Sequence, residues 1–192
     1  MSNITTNIKS IRDIMRKDTG VDGDAQRISQ MVWMLFMKIF ADKEEEWEIT
    51  IDDYQSPIPE HLKWQNWAAD DEGLTGDALM EFIETELFPT LKDLDITISP
   101  QAKIIRSVFD DTYNYMKNGT LFRQVINVIN QIDFNDSKES HVFNDIYETI
   151  LKDLQSAGSS GEYYTPRAVT QFIVDRINPQ LGDSILEPAS VT

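Results

Sequence analysis

Ala157-Gly158-Ser159-Ser160-Gly161-Glu162-Tyr163-Tyr164-Thr165-Pro166-Arg167 is the stretch on which the fold turns. Its first five residues are small and form a linker, and the residues after that linker differ in kind from those before it. Thr165 is a helix cap and Pro166 fits a first helical turn, so a helix is predicted to start here. It carries Ala168, Val169, Phe172, Ile173 and Ile177, and Asn178-Pro179 ends it. The unpaired N–H groups at such a start take carboxylate or phosphate readily. Ser184-Ile185-Leu186-Glu187-Pro188 then reads as a short buried strand emerging into a loop, as in the first strand of a doubly wound sheet. Two elements cannot bury a sheet of their own, and the sequence stops at Thr192. The tail is therefore expected to be the truncated beginning of an α/β nucleotide-type domain.

Upstream of the linker the apolar residues recur with helical period. Ile4, Ile8, Ile11 and Met15 form one face of a first helix, followed by a loop from Asp18 to Asp24. Asp24 is the expected cap of a second helix bearing Ile28, Met31, Val32, Leu35, Phe36, Ile39 and Phe40 and ending within Asp42–Glu48. Residues 50–74 hold Pro57, Pro59, Tyr54, Trp64 and Trp67 without helical period, which predicts a packed, irregular excursion. Thr75 should open a helix with Leu79, Phe82, Ile83 and Leu87 inward, closing near Pro89. Ser99-Pro100 is a start signal for a helix with Ile104, Ile105, Val108 and Phe109. Asn118-Gly119 breaks the chain, Thr120 is read as the next cap, and Leu121, Val125, Val128, Ile129 and Ile132 come after it. A last helix is expected over Ser140–Ala157. The fold class is mainly α: a helical bundle over 1–157, then linker and truncated α/β start (one helix, one strand) over 158–192.

Composition limits what such a chain does. Thirty-three acidic residues face 17 basic ones, a net charge of −16. The cations are scattered, with no cluster longer than Arg16-Lys17, so the isolated chain should bind nucleic acid poorly and should suit a basic partner. No run of about 18 apolar residues exists, which argues against a membrane span. The start lacks a secretory layout, and with no cysteine there is neither a disulfide framework nor a thiolate metal site. A cytoplasmic protein fits. His61 and His141 are isolated, and Glu44-Glu45-Glu46 and Asp52-Asp53 lack the alternating spacing of a calcium loop, so they read as solvated faces and no metal site is expected. Trp64 and Trp67 could stack bases, but Asp70, Asp71 and Glu72 beside them would repel phosphate, which favours packing or contact with another subunit.

The block Gly161-Glu162-Tyr163-Tyr164-Thr165-Pro166-Arg167-Ala168-Val169, with Leu186-Glu187-Pro188-Ala189-Ser190 downstream of it, resembles the first two cofactor motifs of γ-class amino-methyltransferases. It is most similar to the M (HsdM) subunits of type I restriction-modification systems. In these, a G-x-[FY]-[FY]-T-P-R segment precedes a strand ending in [DE]-P-A-C-G-T-G-G. Ile14-Met15-Arg16-Lys17-Asp18, Trp33-Met34-Leu35-Phe36-Met37-Lys38 and Asp42-Lys43-Glu44 resemble the N-terminal helical domain of the same subunits.

The resemblance implies a parent enzyme that moves a methyl group from S-adenosylmethionine to adenine N6, on a base rotated out of the duplex. It places Glu162, Tyr163, Tyr164, Thr165, Pro166 and Arg167 beside the methionine end of the cofactor. Glu187, Pro188 and Ala189 would open the glycine-rich turn beneath it. It further implies a specificity (S) subunit, a second M subunit and a restriction (R) subunit as partners, with DNA held by the assembled complex. The chain departs from the pattern at Ser190-Val191-Thr192, where the family has Cys-Gly-Thr, and valine replaces a glycine that permits close cofactor approach. The catalytic [ND]-P-P-[FYW] motif is absent from the 192 residues, so no catalytic residue is expected here and tight cofactor binding is not. The competing reading is a stand-alone acidic helical protein that mimics DNA charge and blocks restriction. Against it, basic residues interleave with the acids.

Overall fold

The computed structural model describes residues 3–132, 134, 167–180 and 184. The chain divides into two compact units, Met1–Ile150 and Leu151–Thr192. The described residues are helical, joined by turns and extended segments, with no strand among them.

In the first unit, α1 (Asn3–Met15) buries Ile8, Ile11 and Met15, the face that the three-and-four spacing predicts. α2 (Gly23–Thr50) is the long central helix. Asp22, not Asp24, holds the cap position of α2. Asp24 lies in the first turn and accepts from Arg12 of α1 at 3.2 Å and from Arg27 at 3.1 Å. Burial opposes its ionisation, but the two guanidinium groups outweigh that and lower its pKa.

The acidic stretch Asp42–Glu48 does not end α2, which runs on to Thr50. Lys38 pairs with Asp42 and Lys43 with Glu46, and Trp47 packs on Phe40 at 5.6 Å, so the turn is held by neighbours along the helix. Glu44 is likewise not on a solvated face. It is buried and accepts from the Tyr54 hydroxyl at 2.9 Å, and burial together with that carboxylate holds the phenol well above the usual tyrosine range.

The excursion predicted over 50–74 begins after Thr50, the last residue of α2, and packs as its aromatic residues predict, through a short turn (Glu60–Leu62) and α3 (Trp64–Trp67). α4 (Gly76–Phe82) then passes through a π turn (Ile83–Leu87) into α5 (Phe88–Lys92). Pro89 therefore does not close the helix. The amide of Phe88 reaches back five residues to the Ile83 carbonyl, and the widened turn relieves the clash that a proline makes with the carbonyl four residues earlier.

Ser99 caps α6 (Pro100–Asp110) as predicted, accepting from the Ala102 amide at 3.1 Å. Ile105 and Phe109 of α6 are buried, whereas Ile104 is exposed. For α7 (Gly119–Ile129) the cap is Asn118 and not Thr120: its side-chain oxygen accepts from the amides of Thr120 and Leu121, both at 3.0 Å. A carboxamide reaches two amides from the cap position, which leaves Thr120 free to enter the first turn. The helix expected over Ser140–Ala157 and the strand expected at 184–188 lie outside the described residues, save Ser184, which has no regular structure.

The core gathers on Trp33 of α2, which is fully buried. Its ring meets Phe88 at 5.0 Å, Phe122 at 5.8 Å and Phe109 at 6.1 Å, so one side chain joins α2, α5, α6 and α7. Periodicity alone places Val32 inward, but Val32 is exposed and Trp33, Met34 and Met37 are buried instead. Helices pack against α2 from several sides, so its apolar arc is wider than one stripe.

Candidate functional site

Two polar clamps fix how the loops of the first unit cross its helices. The first is Asp18, in the turn after α1, which is buried. Its carboxylate accepts from the amides of Gly20 at 2.8 Å, Lys117 at 3.0 and 3.1 Å, and Asn118 at 2.9 Å. The extended segment 112–118 is thereby tied to the start of the chain. Gln30 of α2 adds a bond from the Tyr115 amide at 2.8 Å. A side chain on Gly20 would place its Cβ 2.1 Å from the Tyr115 carbonyl oxygen, so the two backbones meet at a distance that only glycine allows.

The second clamp is Arg123 of α7. Its guanidinium donates to the carbonyls of Leu74 (2.7 Å), Trp67 (2.9 Å), Ala68 (3.1 Å) and Asp70 (3.1 Å), gathering the excursion against α7. Burial lowers its pKa, and the nearby Asp70 and Asp71 partly offset that. Asn130 completes the clamp, accepting from the Trp64 indole at 2.8 Å and donating to Ala68 at 2.8 Å. Trp64 and Trp67 are thus committed to packing and present no base-stacking face. Arg123→Met keeps the stem but removes the guanidinium from all four carbonyls, of which Ala68 keeps Asn130 and Asp70 keeps the Gly73 amide. We expect a loss of about 2–3 kcal/mol in urea unfolding. Secondary structure measured by circular dichroism should be retained.

A shallow groove of about 290 Å³ lies along the π turn, floored by Ile83, Phe88 and Pro89 and edged by Glu84, Lys92 and Tyr113. The Lys92 ammonium sits 4.9 Å over the Tyr113 ring. Nothing in it pairs a nucleophile with a base. Among the described residues no three metal-ligating side chains come together, and no helix is long and apolar enough to cross a membrane. His61 is exposed, 4.0 Å from Glu86.

Of the residues predicted from sequence to touch a cofactor, Glu162, Tyr163, Tyr164, Thr165, Pro166, Glu187 and Ala189 lie outside the described residues, as does His141. Arg167 opens the helix Arg167–Ile177 in the second unit. The described helix stops before Asn178, whose φ of 47° is left-handed and ends it. Val169, Phe172, Ile173 and Ile177 on it are exposed, and the Arg176 guanidinium lies 5.2 Å from the Phe172 ring.

The described part of the chain thus holds buried clamps and an aromatic core, built for packing rather than for bond making. Residues 4–129 match the HsdM N-terminal domain and residues 138–192 match the N-6 DNA Methylase family. The chain is 60% identical over 191 residues to the type I restriction enzyme EcoEI methylase subunit of Escherichia coli, covering 98% of this chain and 39% of that protein. A solved modification subunit assigned to a type I restriction enzyme of Vibrio vulnificus YJ016 superposes with a TM-score of 0.78 at 36% identity, covering 94% of this chain and 41% of the other. A second solved chain, from work on complex assembly and conformational transition of the type I R-M system, gives 0.78 at 29% identity, covering 94% and 36%. These matches favour a methylase subunit over a stand-alone acidic mimic of DNA. With a helical domain of this kind leading into a methylase segment, the chain belongs to the HsdM family of type I restriction-modification methylase subunits.

Proposed function

We propose that the chain serves a type I restriction-modification methylase as its subunit-assembly and DNA-clamping domain (1–157) and the entry to its cofactor site (158–192). The parent subunit transfers methyl from S-adenosylmethionine to adenine N6 in DNA. Glu162–Arg167 border the methionine end of the donor and Glu187 and Ala189 open the turn beneath it. The specificity subunit, a second M subunit and the restriction subunit are the partners, in the cytoplasm, and DNA is held by the complex as a whole. The order of the two family matches along the chain, 4–129 and then 138–192, is the observation that carries this reading.

In these 192 residues no [ND]-P-P-[FYW] segment occurs, and Val191 stands where the family has glycine. The chain by itself is therefore expected to transfer no methyl group and to hold the donor weakly. The test is co-purification of the tagged chain with the specificity subunit and the whole methylase subunit, with calorimetry of S-adenosylmethionine binding on the same sample. Recovery of both subunits supports the assembly role, and recovery of neither defeats it. A micromolar dissociation constant for the donor would overturn the expectation of weak binding.

A further inference from the structure

Asn118-Gly119 is the one asparagine–glycine pair in the sequence, and the fold requires both members. Asn118 caps α7 with a single oxygen that accepts from the amides of Thr120 and Leu121, both at 3.0 Å. Gly119 is buried where α7 meets Gly76, so close that a Cβ would lie 1.9 Å from the Gly76 carbonyl oxygen. This cap and this close approach together impose a chemically labile dipeptide, because glycine puts no side chain in the way of its own nitrogen.

The chemistry of such a pair is internal. The Gly119 nitrogen attacks the side-chain carbonyl carbon of Asn118 and a new C–N bond forms. The bond from that carbon to the side-chain nitrogen breaks, and ammonia leaves with the proton that the Gly119 amide gave up. Water then opens the cyclic imide. Attack at the side-chain carbonyl gives aspartate, and attack at the main-chain carbonyl gives isoaspartate, in which the chain runs on through Cβ.

Two influences oppose each other at this corner. The amides on Asn118 Oδ1 would stabilise the oxyanion that the attack creates. Ring closure, however, needs the peptide after Asn118 to turn from its extended setting, a ψ of 106°. The surroundings resist that turn. The Asn118 amide donates to Asp18 Oδ2 at 2.9 Å, the Lys117 amide donates to the same carboxylate, and Gly119 is wedged on Gly76. Geometry decides, because an oxyanion that cannot form gains nothing from its donors.

We propose that Asn118-Gly119 is a deamidation site gated by the fold. It is closed while α7 starts on Gly76 and Asp18 holds the amides of residues 117 and 118, and it reacts in molecules in which that corner has opened. Asn118 is exposed, so water reaches the imide once it forms. Isoaspartate adds a carbon to the main chain and shifts Gly119 off Gly76, so refolding does not erase the mark.

Trypsin cuts after Lys117 and Arg123, and the released segment 118–123 holds Asn118 as its one carboxamide. The intact chain is kept in mildly alkaline buffer, folded in one sample and unfolded by urea in another. The mass of the segment is then followed against a sample digested at the start. The amide-to-acid gain should be at least about tenfold slower in the folded protein, a ratio that reads how rarely the corner opens. Asp18→Asn, checked as folded by circular dichroism, takes the carboxylate from both amides and should speed the folded reaction severalfold. Equal rates in folded and unfolded protein overturn the proposal, as does an unfolded chain that gains no mass. A folded Asp18→Asn protein no faster than the unsubstituted chain overturns it too. Should that variant not fold, hydrogen exchange of the Thr120 and Leu121 amides in low urea takes its place. Deamidation that rises with their exchange supports the gate, and deamidation indifferent to it defeats the proposal.

Discussion

Gly119→Ala should unfold or severely weaken the domain, with an expected loss of about 3 kcal/mol or more in chemical denaturation and a matching fall in Tm. A Cβ at this position would lie 1.9 Å from the Gly76 carbonyl oxygen and 2.5 Å from its carbonyl carbon. Those are backbone atoms, so no rotamer change relieves the overlap. The first turn of α7 would have to move off the first turn of α4. Gly76 cannot give way cheaply, because its φ of 60° is left-handed and it already sits at a helix start. The chain as a whole has only about 5–15 kcal/mol of stability to lose. A Gly119→Ala protein with an unchanged midpoint would show that the two turns do not meet as described.

Replacing Trp33 separates size from chemistry. Trp33→Ala should cost about 3–5 kcal/mol, since it empties the space shared by Phe88, Phe109 and Phe122. Trp33→Phe should cost far less, about 1–1.5 kcal/mol. The Trp33 indole N–H is buried with no hydrogen-bond partner, a state that itself costs about 1–3 kcal/mol, and phenylalanine removes it along with part of the ring. Urea midpoints of the two variants measure the difference. Equal losses would mean that the volume filled at this position does not decide and that the core requires the indole itself.

The helical class and the order of elements were legible because period and caps are local. Ile8, Ile11 and Met15 fall on one face of α1, and Ser99 accepts its amide as its type and position require. Local signals mislead where a distant residue overrules them. Glu44 reads as solvated until Tyr54 folds back onto it. Pro89 reads as a stop until the π turn before it makes room. Asp18 reads as a loop residue, because its partners are Gly20 and amides 99 and 100 positions away. Tyr163-Tyr164-Thr165-Pro166-Arg167 is read in another way: it is a short contiguous motif whose proposed cofactor role rests on resemblance, and all of it but Arg167 lies outside the described residues. The tie of the Lys117 amide to Asp18, in the turn after α1, was invisible, since no periodicity spans a hundred residues.

The tether between Asp18 and residues 117–118 also sets an order of events during synthesis. A loop of about 100 residues costs about 4 kcal/mol of chain entropy to close. Its closure is repaid only when α7, against which α1 packs, is present as well. α1, made about a hundred residues before α7, therefore waits for its seat, and until α7 emerges its apolar stripe of Ile8, Ile11 and Met15 is on offer to chaperones.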